Sequence, residues 1–115
     1  MAGIVAIAHV GLAARDLVRL AAFYRDTVGL KQTVNVPGVI AIFAVGDVDL
    51  AIAPGEAAAV AFDLAADDVE GFRAKLVASG VDCDATVDDA RSGHRYFRFR
   101  DPEGNAVTVM SAHRR

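Results

Sequence analysis

Apolar and polar positions along this chain follow two periods, and the same succession of periods occurs twice. Residues 4–12, IVAIAHVGL, form a nearly continuous apolar run with several β-branched members, the pattern of a strand covered on both faces. Asp16 then offers a side-chain oxygen to the free N–H groups of a helix start. Leu17, Leu20, Ala21, Tyr24 and Val28 recur at helical spacing and form one apolar stripe, with Arg19 and Arg25 off it. Gly29 suits the left-handed conformation that ends a helix. Strands are expected at 30–36, closed by Pro37-Gly38, at 39–45, closed by Gly46-Asp47, and at 48–53, ended by Pro54-Gly55.

The second half repeats the order. An apolar strand is expected at 57–65 and a helix capped by Asp67 or Asp68, with the stripe Val69, Phe72, Leu76 and Val77 and a stop at Gly80. A weaker strand at 81–87, a polar loop at 88–93, a strand at 96–100, the tight turn DPEGN and a last strand at 106–111 complete it. The chain therefore reads as α+β, with β-α-β-β-β twice in one domain over 1–115: repeat one about 3–55, repeat two about 56–112. No low-complexity linker intervenes, and Pro54-Gly55 marks the junction.

Composition narrows the partners. Of 115 residues, 54% are apolar and 23% charged, which is globular rather than disordered. The net charge is only −3 and no basic patch stands out, so no nucleic-acid partner is expected. The single cysteine, Cys83, excludes an intramolecular disulfide, and the acids Asp82 and Asp84 beside it should raise its thiol pKa. The N-terminal run lacks a leading basic region, and Arg15 interrupts it short of the ~20 apolar residues of a spanning helix. It reads as a buried strand, and a cytoplasmic protein without membrane partners is expected.

The segments HVGLAARDLVRLAAFYRDTVGL, residues 9–30, and GHRYFRFRDPEGNAVTVMS, residues 93–111, resemble the vicinal-oxygen-chelate superfamily of glyoxalase I, bleomycin- and fosfomycin-resistance proteins and extradiol dioxygenases. The FYRD-x-x-GL helix ending paired with FRDPEGN carries the resemblance, and the repeat extends it over nearly the whole chain. It implies two modules forming a cupped mixed sheet with helices outside, and a homodimer whose second subunit completes each cleft.

The resemblance also implies metal-ligand positions on the first and last strands of each repeat. His9 matches the first, and alternation puts it on one face with Val5, Ile7 and Gly11. The other positions fall on Ala59, Ala51 and Thr108, with Asp49 an acid two residues before Ala51. His94, in a loop, and His113, near the terminus, match no ligand position. A catalytic divalent site needs about three protein ligands, so no cofactor is expected and a divalent metal is the minor reading.

Six residues are assigned to a ligand-binding cleft: His9, Gly11, Asp49, Tyr96, Arg98 and Thr108. Gly11 would let a ligand approach the backbone, and Arg98 could fork onto a carboxylate or phosphate. Tyr96, Arg98 and Arg100 alternate with Phe97 and Phe99, which should pack under the helix. His94 reads as a solvated loop residue and DPEGN as a turn without catalysis. The expected function is metal-independent binding of a drug or metabolite, in the manner of bleomycin-resistance proteins. The alternative is a metal-dependent lyase, isomerase or dioxygenase using His9.

Overall fold

The computed structural model describes residues 3–4, 7–56, 60–91 and 93–111. The chain divides into two compact units, Met1–Ala57 and Ala58–Arg115. Both have the expected α+β make-up, a four-stranded mixed sheet with a helical segment packed on one face.

In the first unit, β1 (His9–Ala14), β2 (Lys31–Val36), β3 (Ile40–Val45) and β4 (Val48–Pro54) form a sheet of order β1-β4-β3-β2. β1 and β4 run parallel; β3 pairs antiparallel with β4 and with β2, where the register shifts between Gln32 and Val34. Helix α1 (Leu17–Ala22) starts at Asp16, whose Oδ1 accepts the Arg19 backbone N–H at 3.1 Å. It continues as a π-helical segment, Phe23–Val28, and the N–H groups of Gly29 and Leu30 both reach the Tyr24 carbonyl. Gly29 takes φ 87°, a left-handed conformation that suits glycine. The whole predicted stripe, Leu17, Leu20, Ala21, Tyr24 and Val28, is buried, together with Leu12, Ala14, Ala41, Phe43, Leu50 and Ile52 from the sheet. The π-helical turn widens the helix without moving this stripe off the sheet.

Only one face of β1 is covered within its unit, contrary to the two-sided burial its apolar run suggests. Leu12 and Ala14 are buried, but His9 and Gly11 are exposed, and Ile7 before the strand is 67% exposed. Val5 and Ala6 lie outside the described residues.

The second unit repeats the arrangement with β5 (Ala61–Ala66), β6 (Val87–Asp88), β7 (Arg95–Arg100) and β8 (Ala106–Ser111) in the order β5-β8-β7-β6, β5 and β8 being parallel. Asp68 is the cap of α2 (Val69–Ala78); its Oδ1 accepts the Gly71 N–H at 2.9 Å. Phe97, Phe99, Val107 and Val109 are buried beneath α2 with Val69 and Leu76. Val77, expected in that stripe, is 48% exposed. It adjoins Leu76 in sequence, about 100° around the helix, and only Leu76 faces the sheet. The strand expected at 81–87 shrinks to the two-residue β6 and an isolated bridge from Cys83 to Phe99, because Asp82, Asp84 and Ala85 give this edge little to bury.

The DPEGN turn is built on buried polar groups. Asp101 Oδ1 accepts the N–H groups of Glu103 and Asn105, both at 2.9 Å, and its Oδ2 accepts Asn105 Nδ2 at 2.8 Å. Asn105 Oδ1 in turn accepts the Val60 N–H at 3.1 Å, tying the turn to the approach of β5. Gly104 holds φ 87°. Among the described residues no helix is long and apolar enough to cross a membrane.

Candidate functional site

Each sheet has a face away from its helix, and strand alternation decides what that face presents. In the first unit it carries His9, Gly11 and Ala13 from β1, paired in register with Asp49, Ala51 and Ala53 from β4. His9 and Asp49 are exposed neighbours on parallel strands, and their side chains have no hydrogen bond or ion pair among the described residues. A Cβ added at Gly11 would meet nothing within 4 Å, so the space above it is open.

The corresponding face of the second unit is far more polar. Asp63 on β5, Thr108 on β8 and Arg98 on β7 are register partners and lie in one row across the sheet. Arg98 Nε donates to Thr108 Oγ1 at 3.2 Å, and the guanidinium lies 5.4 Å from the centre of the Tyr96 ring. Thr108 is thereby 7% exposed although its face has no helix over it. Tyr96 pairs with Met110 in the next row. With His94 and Asp89 these residues line an open pocket of about 310 Å³.

The loop residues of the pocket are held from behind. His94 Nδ1 lies 2.7 Å from the Ser111 carbonyl. A carbonyl only accepts, so Nδ1 carries the proton, which makes Nε2 an acceptor in the neutral ring. His94 is therefore half-buried and hydrogen-bonded rather than a solvated loop residue. Asp89 donates its N–H to the His94 carbonyl at 2.9 Å and accepts the Arg91 N–H at 3.0 Å. Arg95, at the start of β7, donates to Glu70 on α2, Asp88 on β6 and Thr86. The Arg95 hydrogen bond holds the Glu70 carboxyl below the usual glutamate range.

The six cleft candidates thus fall into two groups: His9, Gly11 and Asp49 on the first sheet, Tyr96, Arg98 and Thr108 on the second. Sequence reading missed Asp63. Its signal is period-two alternation, Asp63 with Ala61 and Ala65 against Phe62 and Leu64. Arg100 shares the face of Arg98 and is exposed.

The structure moves one comparison between the repeats. His9 lies seven residues before the cap Asp16, and seven residues before the cap Asp68 stands Ala61. The two first strands match on the same offset, so the counterpart of His9 is Ala61, not Ala59, which lies outside the described residues. Both are alanines and neither is a ligand. The equivalent of Thr108 is Ala51, since Gly11 pairs with Ala51 as Asp63 pairs with Thr108. At the four positions that the resemblance implies for a metal, the residues present do not fit a divalent ion: only His9 is a good ligand, and Thr108 Oγ1 accepts a hydrogen bond from Arg98. Among the described residues no three His, Cys, Asp or Glu side chains form a group able to hold one.

Cys83 is half-buried, and its thiol pKa is raised first by that burial; the nearby Asp82 and Asp84 add to the effect and Arg73 opposes it. The direction is the one expected from the neighbouring acids, but desolvation is the larger cause. It leaves the thiol a poor nucleophile.

Comparison with known proteins agrees with this architecture. A lactoylglutathione lyase from Agrobacterium tumefaciens is 26% identical, with TM-score 0.83 over 93% of either chain. A glyoxalase/bleomycin resistance protein from Streptomyces sp. CB03234 is 25% identical, with TM-score 0.76 over 90% of this chain and 98% of that one. TnmS3, an antibiotic binding protein from the same organism, shares the fold at 22% identity, with TM-score 0.82 over 98% of this chain and 100% of its own. A search of curated protein sequences finds no match. The family model of the Glyoxalase/Bleomycin resistance protein/Dioxygenase superfamily matches residues 6–109, and the chain belongs to that superfamily.

Proposed function

We propose that this protein binds a small organic molecule, a drug or metabolite, without a metal ion, on the open sheet face of its second unit. The observation that carries this reading is the Arg98–Thr108 hydrogen bond. It commits the threonine at a ligand position of metal-using relatives to orienting a guanidinium, which is a recognition group for an organic acceptor. The likeness to an antibiotic binding protein and to a glyoxalase/bleomycin resistance protein supports the same reading. We propose also that the chain acts as a homodimer. Ile42, Ala51 and Ala53 lie on the first unit's face away from its helix, and such a face gains from cover by a second chain.

Calorimetric titration of a panel of aromatic compounds that carry acceptor groups, carboxylates and amino acids among them, in the presence of EDTA tests the first part. Saturable binding that is indifferent to chelator and lost in Arg98→Met is expected. Light scattering on the eluting protein tests the second and should give twice the chain mass. A competing reading, metal-dependent lyase, isomerase or dioxygenase chemistry through His9, is favoured by the likeness to lactoylglutathione lyase and by Asp49 lying beside His9. One stoichiometric divalent ion per chain in protein purified without chelator, lost in His9→Ala, would establish it and overturn the first.

A further inference from the structure

The open row of the second sheet carries two opposite charges that do not meet. Asp63 and Arg98 stand on the strands either side of β8, with Thr108 between them. Strands lie about 4.8 Å apart, so the two backbones are separated by about 10 Å. Asp63 makes no hydrogen bond or ion pair among the described residues, and Arg98 makes no ion pair there. Arg98 is instead turned onto the Tyr96 ring and the Thr108 hydroxyl, which fixes the guanidinium plane.

We infer that the ligand is a compact zwitterion, an ammonium and a carboxylate a few ångströms apart on an apolar body. The inference rests on the reading of this pocket as a ligand site and names the class of molecule it takes. Arg98 has five N–H donors and spends one on Thr108, so a forked pair remains for a carboxylate. Asp63 can only accept, and an ammonium supplies donors and the opposite charge. Tyr96 and Met110, paired in the neighbouring row, form the wall for the apolar part. A simple anion would satisfy Arg98 while facing the Asp63 carboxylate, and a simple cation would satisfy Asp63 while facing Arg98. Only a molecule with both charges meets both groups in a pocket of about 310 Å³.

Four matched probes test this by calorimetry: L-phenylalanine, 3-phenylpropanoate, phenethylamine and the neutral 3-phenylpropanamide. L-phenylalanine should bind at least about tenfold more tightly than each of the others, the ratio expected when one charged contact is removed. Arg98→Met should weaken L-phenylalanine and 3-phenylpropanoate and spare phenethylamine. Asp63→Asn should weaken L-phenylalanine and phenethylamine and spare 3-phenylpropanoate. Both residues are exposed, and an unchanged melting temperature will verify that the variants fold. Any single-charge or neutral probe that equals L-phenylalanine overturns the inference. If no probe binds but a compound of the wider panel does, the zwitterion class falls and the binding reading stands. If nothing in either set binds, both fall.

Discussion

The two units share a frame and differ in what they hang on it. Their first and last strands pair in parallel, each helical segment starts at a capping aspartate, and the helix-covered sheet positions match in kind. Leu12 and Ala14 correspond to Leu64 and Ala66, Phe43 to Phe99, and Leu50 and Ile52 to Val107 and Val109. The open faces do not match. Where the first sheet has the row Gly11, Ala51 and Ile42, the second has Asp63, Thr108 and Arg98. A position under a helix must fill space at crystal-like density and tolerates few side chains. A position on the open face carries no such constraint and is where recognition chemistry can be placed without unfolding the unit.

The largest test of this comparison is in the cores. Phe43 and Phe99 occupy equivalent register positions and are 0% and 1% exposed. Either Phe→Ala change should cost about 3–5 kcal/mol in urea unfolding, from lost transfer energy and an unfilled cavity. If one costs this much and its equivalent costs under about 1 kcal/mol, the two cores are not organised alike.

Next come the caps. Asp16→Ala and Asp68→Ala each remove an acceptor from a first-turn N–H and should each cost about 1 kcal/mol. A silent Asp16→Ala beside a costly Asp68→Ala would break the symmetry. It would mean that the first helical segment is held by its buried stripe alone, Leu17 to Val28, and needs no cap.

This division between covered and open faces also governs what could be read in the sequence. The stripe of the first helix and the strand Ala106–Ser111 were legible because burial on a fixed face imposes a period. The edge at 81–87 was not, because a strand that buries little leaves no period. The π-helical turn was invisible because Tyr24 and Val28 suit an ordinary helix equally well. Tyr96, Arg98 and Thr108 could be placed on one face by alternation, but their row partner Asp63 depends on the parallel pairing of β5 with β8, which no local pattern states. The counterpart of His9 slipped by two residues: Asp67 in place of the cap Asp68 accounts for one, and an offset of eight residues to Ala59, where His9 stands seven before Asp16, accounts for the other.

A smaller effect is confined to the second unit. Arg95 ties α2 to β6 through Glu70 and Asp88, and the offset that matches Phe43 to Phe99 puts Val39, just before β3 and 59% exposed, at its place in the first unit. Glu70 has its pKa lowered in the fold, chiefly by the Arg95 hydrogen bond. A carboxyl lowered on folding adds stability above its unfolded value, near 4.5, and loses it as pH falls through the lowered value. Arg95→Met should therefore melt below the parent at neutral pH, by less than the cap variants, and the gap should close on acidification. A gap independent of pH would mean that the arginine acts through its aliphatic stem and not its charge.

The smallest expected effect is at Gly71, three residues after its cap. A Cβ there would lie 2.2 Å from Asp68 Oδ2 in the present rotamer, so Gly71→Ala must move the capping side chain. The equivalent residue in the first unit is Arg19, which has a Cβ and still donates its N–H to Asp16 at 3.1 Å. A cap compatible with a side chain at this position therefore exists in the same molecule. Replacing a glycine in a helix with alanine gains about 0.5–1 kcal/mol, and rotating the cap offsets part of that. The net change should stay within about 0.5 kcal/mol, and Asp68→Ala in the Gly71→Ala background should still cost about 1 kcal/mol because the cap is kept. If the second substitution costs nothing there, the alanine has already expelled Asp68, and the two caps are alike in residue type but not in the geometry they tolerate.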